Sequence, residues 1–149
     1  MKGFSGILIG CFLIFSCPVA GQQELDAIMV EKAWIREAPP GMMSLAGYMT
    51  ARNNSNNDVS LIEVRSEDFA HAMIHKTTHE GDMARMHHQN KVLVPAGQSV
   101  HFEPNGYHLM LMHPSRTLKS GDLVPVTLVF SDGYKVNISF EVRTDMPAR

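Results

Sequence analysis

From Ala27 onwards the apolar residues of this chain recur at every second position in short runs, and turn-forming residues separate the runs. In VSLIEVRS (59–66), Ile62 and Val64 alternate with Glu63 and Arg65. In PNGYHLMLM, Tyr107, Leu109 and Leu111 face one way and His108, Met110 and Met112 the other. Period two is the signature of a half-buried strand. AIMVEKAWIRE (27–37), with the single tryptophan Trp34, and LAGYMTARN (45–53) read as further strands. Pro39 and Pro40 deny a helix between them, and the polar run NNSNND ends the second. KVLVPAG and QSVHFEP are short strands, and Asn105-Gly106 is a turn signal. DLVPVTLVFSDGYKVNISFEV closes as a hairpin about Asp132-Gly133, with Pro125 marking an edge or a bulge. FAHAMIHKTTHE (69–80) fits a strand, or a helix aligning His71, His75 and His79; its strand neighbours favour the strand. EGDMARMHHQN reads as an irregular connection or a short hairpin. Roughly seven to nine strands with regular turns imply an antiparallel Greek-key β-sandwich.

The N-terminus, MKGFSGILIGCFLIFSCPVAG, has one lysine, an apolar run and then small residues. It reads as a secretory signal peptide over 1–21, leaving one domain over 22–149. Lipid attachment at Cys17 is the alternative, though Phe15 suits it poorly. Both cysteines, Cys11 and Cys17, fall in this segment, so the exported domain has none. That excludes disulfide frameworks, CxxC redox chemistry, Cys-ligated zinc, iron–sulfur clusters and blue copper. A net charge of −2 argues against a nucleic-acid footprint.

The remaining chemistry is soft. All eight histidines and five of the eleven methionines lie between His71 and His113. His75, Met86, His108 and Met110 make an uncharged imidazole and thioether set, which suits Cu(I). The spacing His108-x-Met110 puts both side chains on one face of a strand. Met83 and Met112 read as packing or shielding residues. His71, His87 and His88 are candidates for an auxiliary Cu(II) or Zn(II) site, against the plainer reading of a polar rim. HEGDM is not HExxH, no acid–base pair is visible, and there is no nucleophile elbow or phosphate loop. A mononuclear metalloenzyme would need such groups, and neither an enzyme nor a small-molecule substrate is expected.

The spacing His75-x10-Met86-x21-His108-x-Met110 resembles the copper motif of the PCuAC family of periplasmic copper chaperones. AWIREAPPG, AGYMTARN, VPAGQSV, EPNGYHLMLM and LKSGDLVPVTLVF resemble that family's other blocks in order, from about Val30 to Val142. The resemblance implies a cupredoxin-like or immunoglobulin-like β-sandwich binding one Cu(I) through His75, Met86, His108 and Met110. It implies a periplasmic monomer delivering copper to the centres of cytochrome c oxidase, alone or with a Sco-type chaperone. Copper sequestration is the alternative role. Three departures stand out. Asn105 replaces a usual glycine, which a left-handed backbone would tolerate. His87 and His88 are unusual after Met86. The chain ends at TDMPAR, so the His- and Met-rich tail that binds Cu(II) in some members is not expected.

Overall fold

Strands are the only long regular elements in the computed structural model, which describes residues 27–144. The expected signal segment, with Cys11 and Cys17, lies outside the described residues. The strands are β1 (Ile28–Arg36), β2 (Ser44–Asn53), β3 (Val59–Arg65), β4 (Phe69–Glu80) and β5 (Met83–His88). They continue with β6 (Val92–Val94), β7 (Ser99–Phe102), β8 (Tyr107–Pro114), β9 (Leu123–Phe130) and β10 (Lys135–Arg143). Hydrogen bonds join them in the order β5-β4-β8-β7-β2-β1-β10-β9-β3-β6, and β8 also pairs with β2. β1 runs parallel to β10, whereas its other neighbour, β2, is antiparallel. β7 and β8 lie end to end along one edge of β2. β3 and β4 sit towards opposite ends of the order, yet they are joined by a short turn and touch. The sheet therefore curls over on itself and encloses a single core, a cupredoxin-like sandwich.

Alternation along the strands fills that core. In β9, Val124, Val126, Leu128 and Phe130 are buried, while Leu123 and Pro125 between and before them are exposed. Leu109 and Leu111 of β8 and Ile74 of β4 join the same cluster from the other half. Each fully buried side chain of this size contributes about 1.5–3 kcal/mol. Pro125 stands beyond the last β3–β9 pair, Arg65 with Thr127, and so at an edge as its missing N–H requires. The closing hairpin turns at Asp132 and Gly133, where Gly133 has φ 87°.

Two segments sharpen or change the expectation. There are ten strands, because residues 83–88 are a regular strand: of the two readings of this segment, an irregular connection or a short hairpin, the hairpin holds. Gly81, at φ 61°, closes a two-residue turn of the kind that matches strand twist, so Glu80 pairs with Met83 and the ladder runs back to His75 and His88. β8 continues through His113 and Pro114, because the His113 N–H donates to the Met43 carbonyl (2.7 Å) after Met112.

The last residue of β2, which opens the polar run, is a structural anchor. Asn53 is completely buried. Its Nδ2 donates to the carbonyls of Asn57 (2.7 Å) and Val94 (3.0 Å). Its Oδ1 accepts from the N–H (2.9 Å) and hydroxyl (2.7 Å) of Ser55. One side chain thus shapes the turn and ties β2 to β6. Asn53→Ala strands these partners and should cost about 2–3 kcal/mol in urea unfolding. Asn53→Asp should also destabilise, because a carboxylate cannot donate to the two carbonyls. A loss below about 0.5 kcal/mol for Asn53→Ala would contradict this role.

Candidate metal centre

β4 lies between β5 and β8, and His75 stands at its middle. His75 pairs with His88 on one side and with His108 on the other. Directly opposed residues of a sheet share a face. The same face therefore carries the pairs Thr77 with Met86, Met73 with Met110 and His71 with Met112. The opposite face of β4 and β8 supplies Ile74, Leu109 and Leu111 to the core. The face that holds His75 is thus the outer one. None of these paired residues is charged.

His108 is only 6% exposed. Its Nδ1 lies 3.2 Å from the Gly106 carbonyl, which also accepts the Thr77 N–H at 3.0 Å. A carbonyl only accepts, so Nδ1 carries the proton and Nε2 keeps its lone pair. The turn that places this carbonyl depends on Asn105, whose φ of 66° lies in the left-handed region that asparagine tolerates. His75 is half-buried, and its Nδ1 is buried without a hydrogen-bond partner. An orphaned imidazole nitrogen is what a soft cation would satisfy. Burial, reinforced by the neighbouring His108 and His88, pushes the His75 pKa below its ordinary 6.5. The ring centroids of His75 and His108 are 5.9 Å apart, and those of His75 and His88 5.7 Å. With metal–nitrogen bonds of about 2.0–2.1 Å, two rings sharing an ion lie no more than about 6.5 Å apart. Both pairs fall inside that limit. Met86 is 62% exposed on β5, the terminal strand of the sheet.

The fold thus brings His75, Met86, His108 and Met110 onto one face of three adjacent strands. It divides the auxiliary set. His88 stands beside His75, whereas His87 pairs with Lys76 on the opposite face. His71 lies on the same face four residues along β4 from His75, its ring 6.3 Å from that of His113. His101 is engaged elsewhere, 3.1 Å from the Thr50 hydroxyl. Among the described residues, no three of the His, Cys, Asp and Glu side chains close around an ion as they stand. Two acids singled out by sequence are paired elsewhere: Glu63 with Arg65 (2.6 Å) and Asp68 with Arg116 (3.4 Å). Met83 is exposed at the hairpin turn and Met112 opposes His71. Met73, which had no role by sequence, lies directly beside Met110. Trp34 is buried against Tyr48 at 4.9 Å, with the Arg36 guanidinium 6.0 Å from both rings, a packing role.

Fold and face together define a cupredoxin-like domain with an uncharged histidine and methionine surface. The family model described as "Putative lipoprotein LpqE-like" matches residues 28–142, and the chain belongs to this family, that of the PCuAC domains. A "Putative lipoprotein" of Leifsonia xyli subsp. xyli is 30% identical over 91% of this chain and 82% of its own length. The solution structure of CuI-DR1885 from Deinococcus radiodurans is 32% identical, covers 87% of both chains and superposes with a TM-score of 0.67. The copper-bound PCuAC domain from PmoF2 is 25% identical, with a TM-score of 0.69 over 80% of this chain and 94% of that one.

The depressed His75 pKa has a measurable consequence in the metal-free protein. As pH falls, the unfolded chain takes up this proton before the folded one. The group's contribution to stability is therefore complete above pH 6.5 and declines as pH falls below it. An NMR titration of the histidine ring protons should give His75 a midpoint below 6.5; a midpoint at or above it would contradict the burial argument.

Proposed function

We propose that this protein is an exported copper chaperone, periplasmic in its working location and not an enzyme. It binds one Cu(I) through His75, Met86, His108 and Met110. It then passes the ion to a copper-accepting protein, such as the centres of cytochrome c oxidase or a Sco-type chaperone. The observation that carries this reading is the shared outer face. His75 and His108 are direct cross-strand neighbours, and Met110 is a diagonal neighbour of His75 across β8, as Met86 is across β5. Diagonal neighbours in a sheet are about 7–8 Å apart, within reach of a long flexible thioether. The relatives solved with copper bound, the PmoF2 domain and CuI-DR1885, support copper as the cargo.

The ligand set suits handover. Two neutral imidazoles and two thioethers leave Cu(I) with its single positive charge, and thiolates, which would hold it more tightly, are lacking in the described domain. Transfer then proceeds by stepwise exchange in which a ligand of the acceptor replaces Met86 first. Met86 is the most exposed of the four and sits on the sheet's terminal strand. His108 leaves last, because burial and the Gly106 carbonyl hold its ring in place.

The combined His75→Ala and Met86→Ala variant should lose Cu(I) affinity by about a hundredfold or more in competition with a chromophoric Cu(I) chelator. Supporting groups alone are worth 10–100-fold at metal sites. X-ray absorption of the copper-loaded protein should show a mixed nitrogen and sulfur shell. Unchanged Cu(I) affinity in the double variant would overturn the ligand assignment.

A further inference from the structure

β5 presents two ligand side chains to the same place. Met86 and His88 are two residues apart on one strand and so share its outer face. The register gives them unequal positions: His88 lies directly across from His75, whereas Met86 lies across from Thr77 and reaches His75 diagonally. His88 is exposed, and its ring centroid is as near to His75 (5.7 Å) as that of His108 is (5.9 Å). His75 is thus flanked by an imidazole on each neighbouring strand.

Thioethers favour Cu(I), whereas imidazole is also a good ligand for Cu(II). We propose that His88 is an alternative ligand to Met86: the domain holds Cu(II) through His75, His88 and His108, and Cu(I) through the set in which Met86 replaces His88. The proposal rests on the placement of Cu(I) given above and extends it to the oxidised ion. Because the three rings do not close around a common point as they stand, the His88 side chain must turn towards His75 on binding. Its exposed position on a terminal strand lets it do so without moving the core. His87, on the opposite face beside Lys76, takes no part.

The test uses the exported domain loaded with Cu(II) alone or Cu(I) alone, for the unaltered protein, His88→Gln and His87→Gln. Electron paramagnetic resonance of the unaltered Cu(II) form should show three nitrogen ligands. His88→Gln should reduce that number to two and weaken Cu(II) binding by about tenfold or more, while Cu(I) affinity stays within about threefold. His87→Gln should change neither, and circular dichroism confirms the fold of both variants. A His88→Gln protein with unaltered Cu(II) spectrum and affinity would overturn the proposal, as would equal losses for the two oxidation states. Failure of the Cu(I) assignment would appear separately, as Cu(I) binding that survives His75→Ala with Met86→Ala.

Discussion

The pairing of His75 with His88 on one side and His108 on the other requires that neither ladder slip by one residue. In the β4–β8 ladder, a slip of β8 by one would turn its outward His108 and Met110 towards the core and put Leu109 and Leu111 in water. Two turns hold the register. Gly81, at φ 61°, closes the β4–β5 hairpin in two residues and fixes Glu80 opposite Met83. Asn105, at φ 66°, and Gly106 form the jog between β7 and β8. The Gly106 carbonyl then binds both the β4 backbone at Thr77 and the His108 ring. The second turn therefore sets a strand and a side-chain tautomer with a single oxygen. The buried alternation of Leu109, Leu111 and Ile74 supplies the energy that makes slippage costly.

Charge is arranged as carefully as register. No carboxylate, lysine or arginine occurs among the paired outward residues that link β5, β4 and β8 around His75. The nearest positive side chain on β4, Lys76, lies on the opposite face, its ammonium 4.8 Å from the centre of the Tyr107 ring. An uncharged, partly buried imidazole pair favours a soft monovalent ion over Mg or Ca, which require oxygen ligands. The lowered His75 pKa belongs to the same arrangement, since desolvation keeps the ring neutral and its lone pair available.

Much of this was legible in the sequence, for identifiable reasons. Period-two patterning in VSLIEVRS and YHLMLM marks strands because one face of each is buried, and the missing N–H of Pro125 marks an edge. Asn105 has the left-handed backbone, φ 66°, that asparagine was expected to tolerate at this place. What stayed illegible was pairing between strands distant in sequence. His71, His87 and His88 looked equivalent as extra histidines, yet register puts them at three different places. For His88 the signal was present: reading Gly81-Asp82 as a two-residue hairpin loop yields the His75 and His88 pair directly. Nothing comparable announced Asn53. Its run of polar neighbours reads as an ordinary turn, and only the tertiary packing of β6 shows that its amide is buried.

The proposed ligands divide unequally between strands, and that inequality bears on how a carrier both holds and releases its cargo. His108 and Met110 sit on β8, an interior strand held by ladders to β4 and β2, and the His108 ring is buried. Met86 and His88 sit on β5, which is paired on one side only and exposed along its whole length. Exchange of a ligand costs least where the side chain is already solvated and its backbone is held by one ladder. In the proposed transfer, the copper ion would keep its inner contacts on β8 while an acceptor ligand replaces the outer one on β5. The sheet edge thus makes stepwise release compatible with a fold whose core need not open.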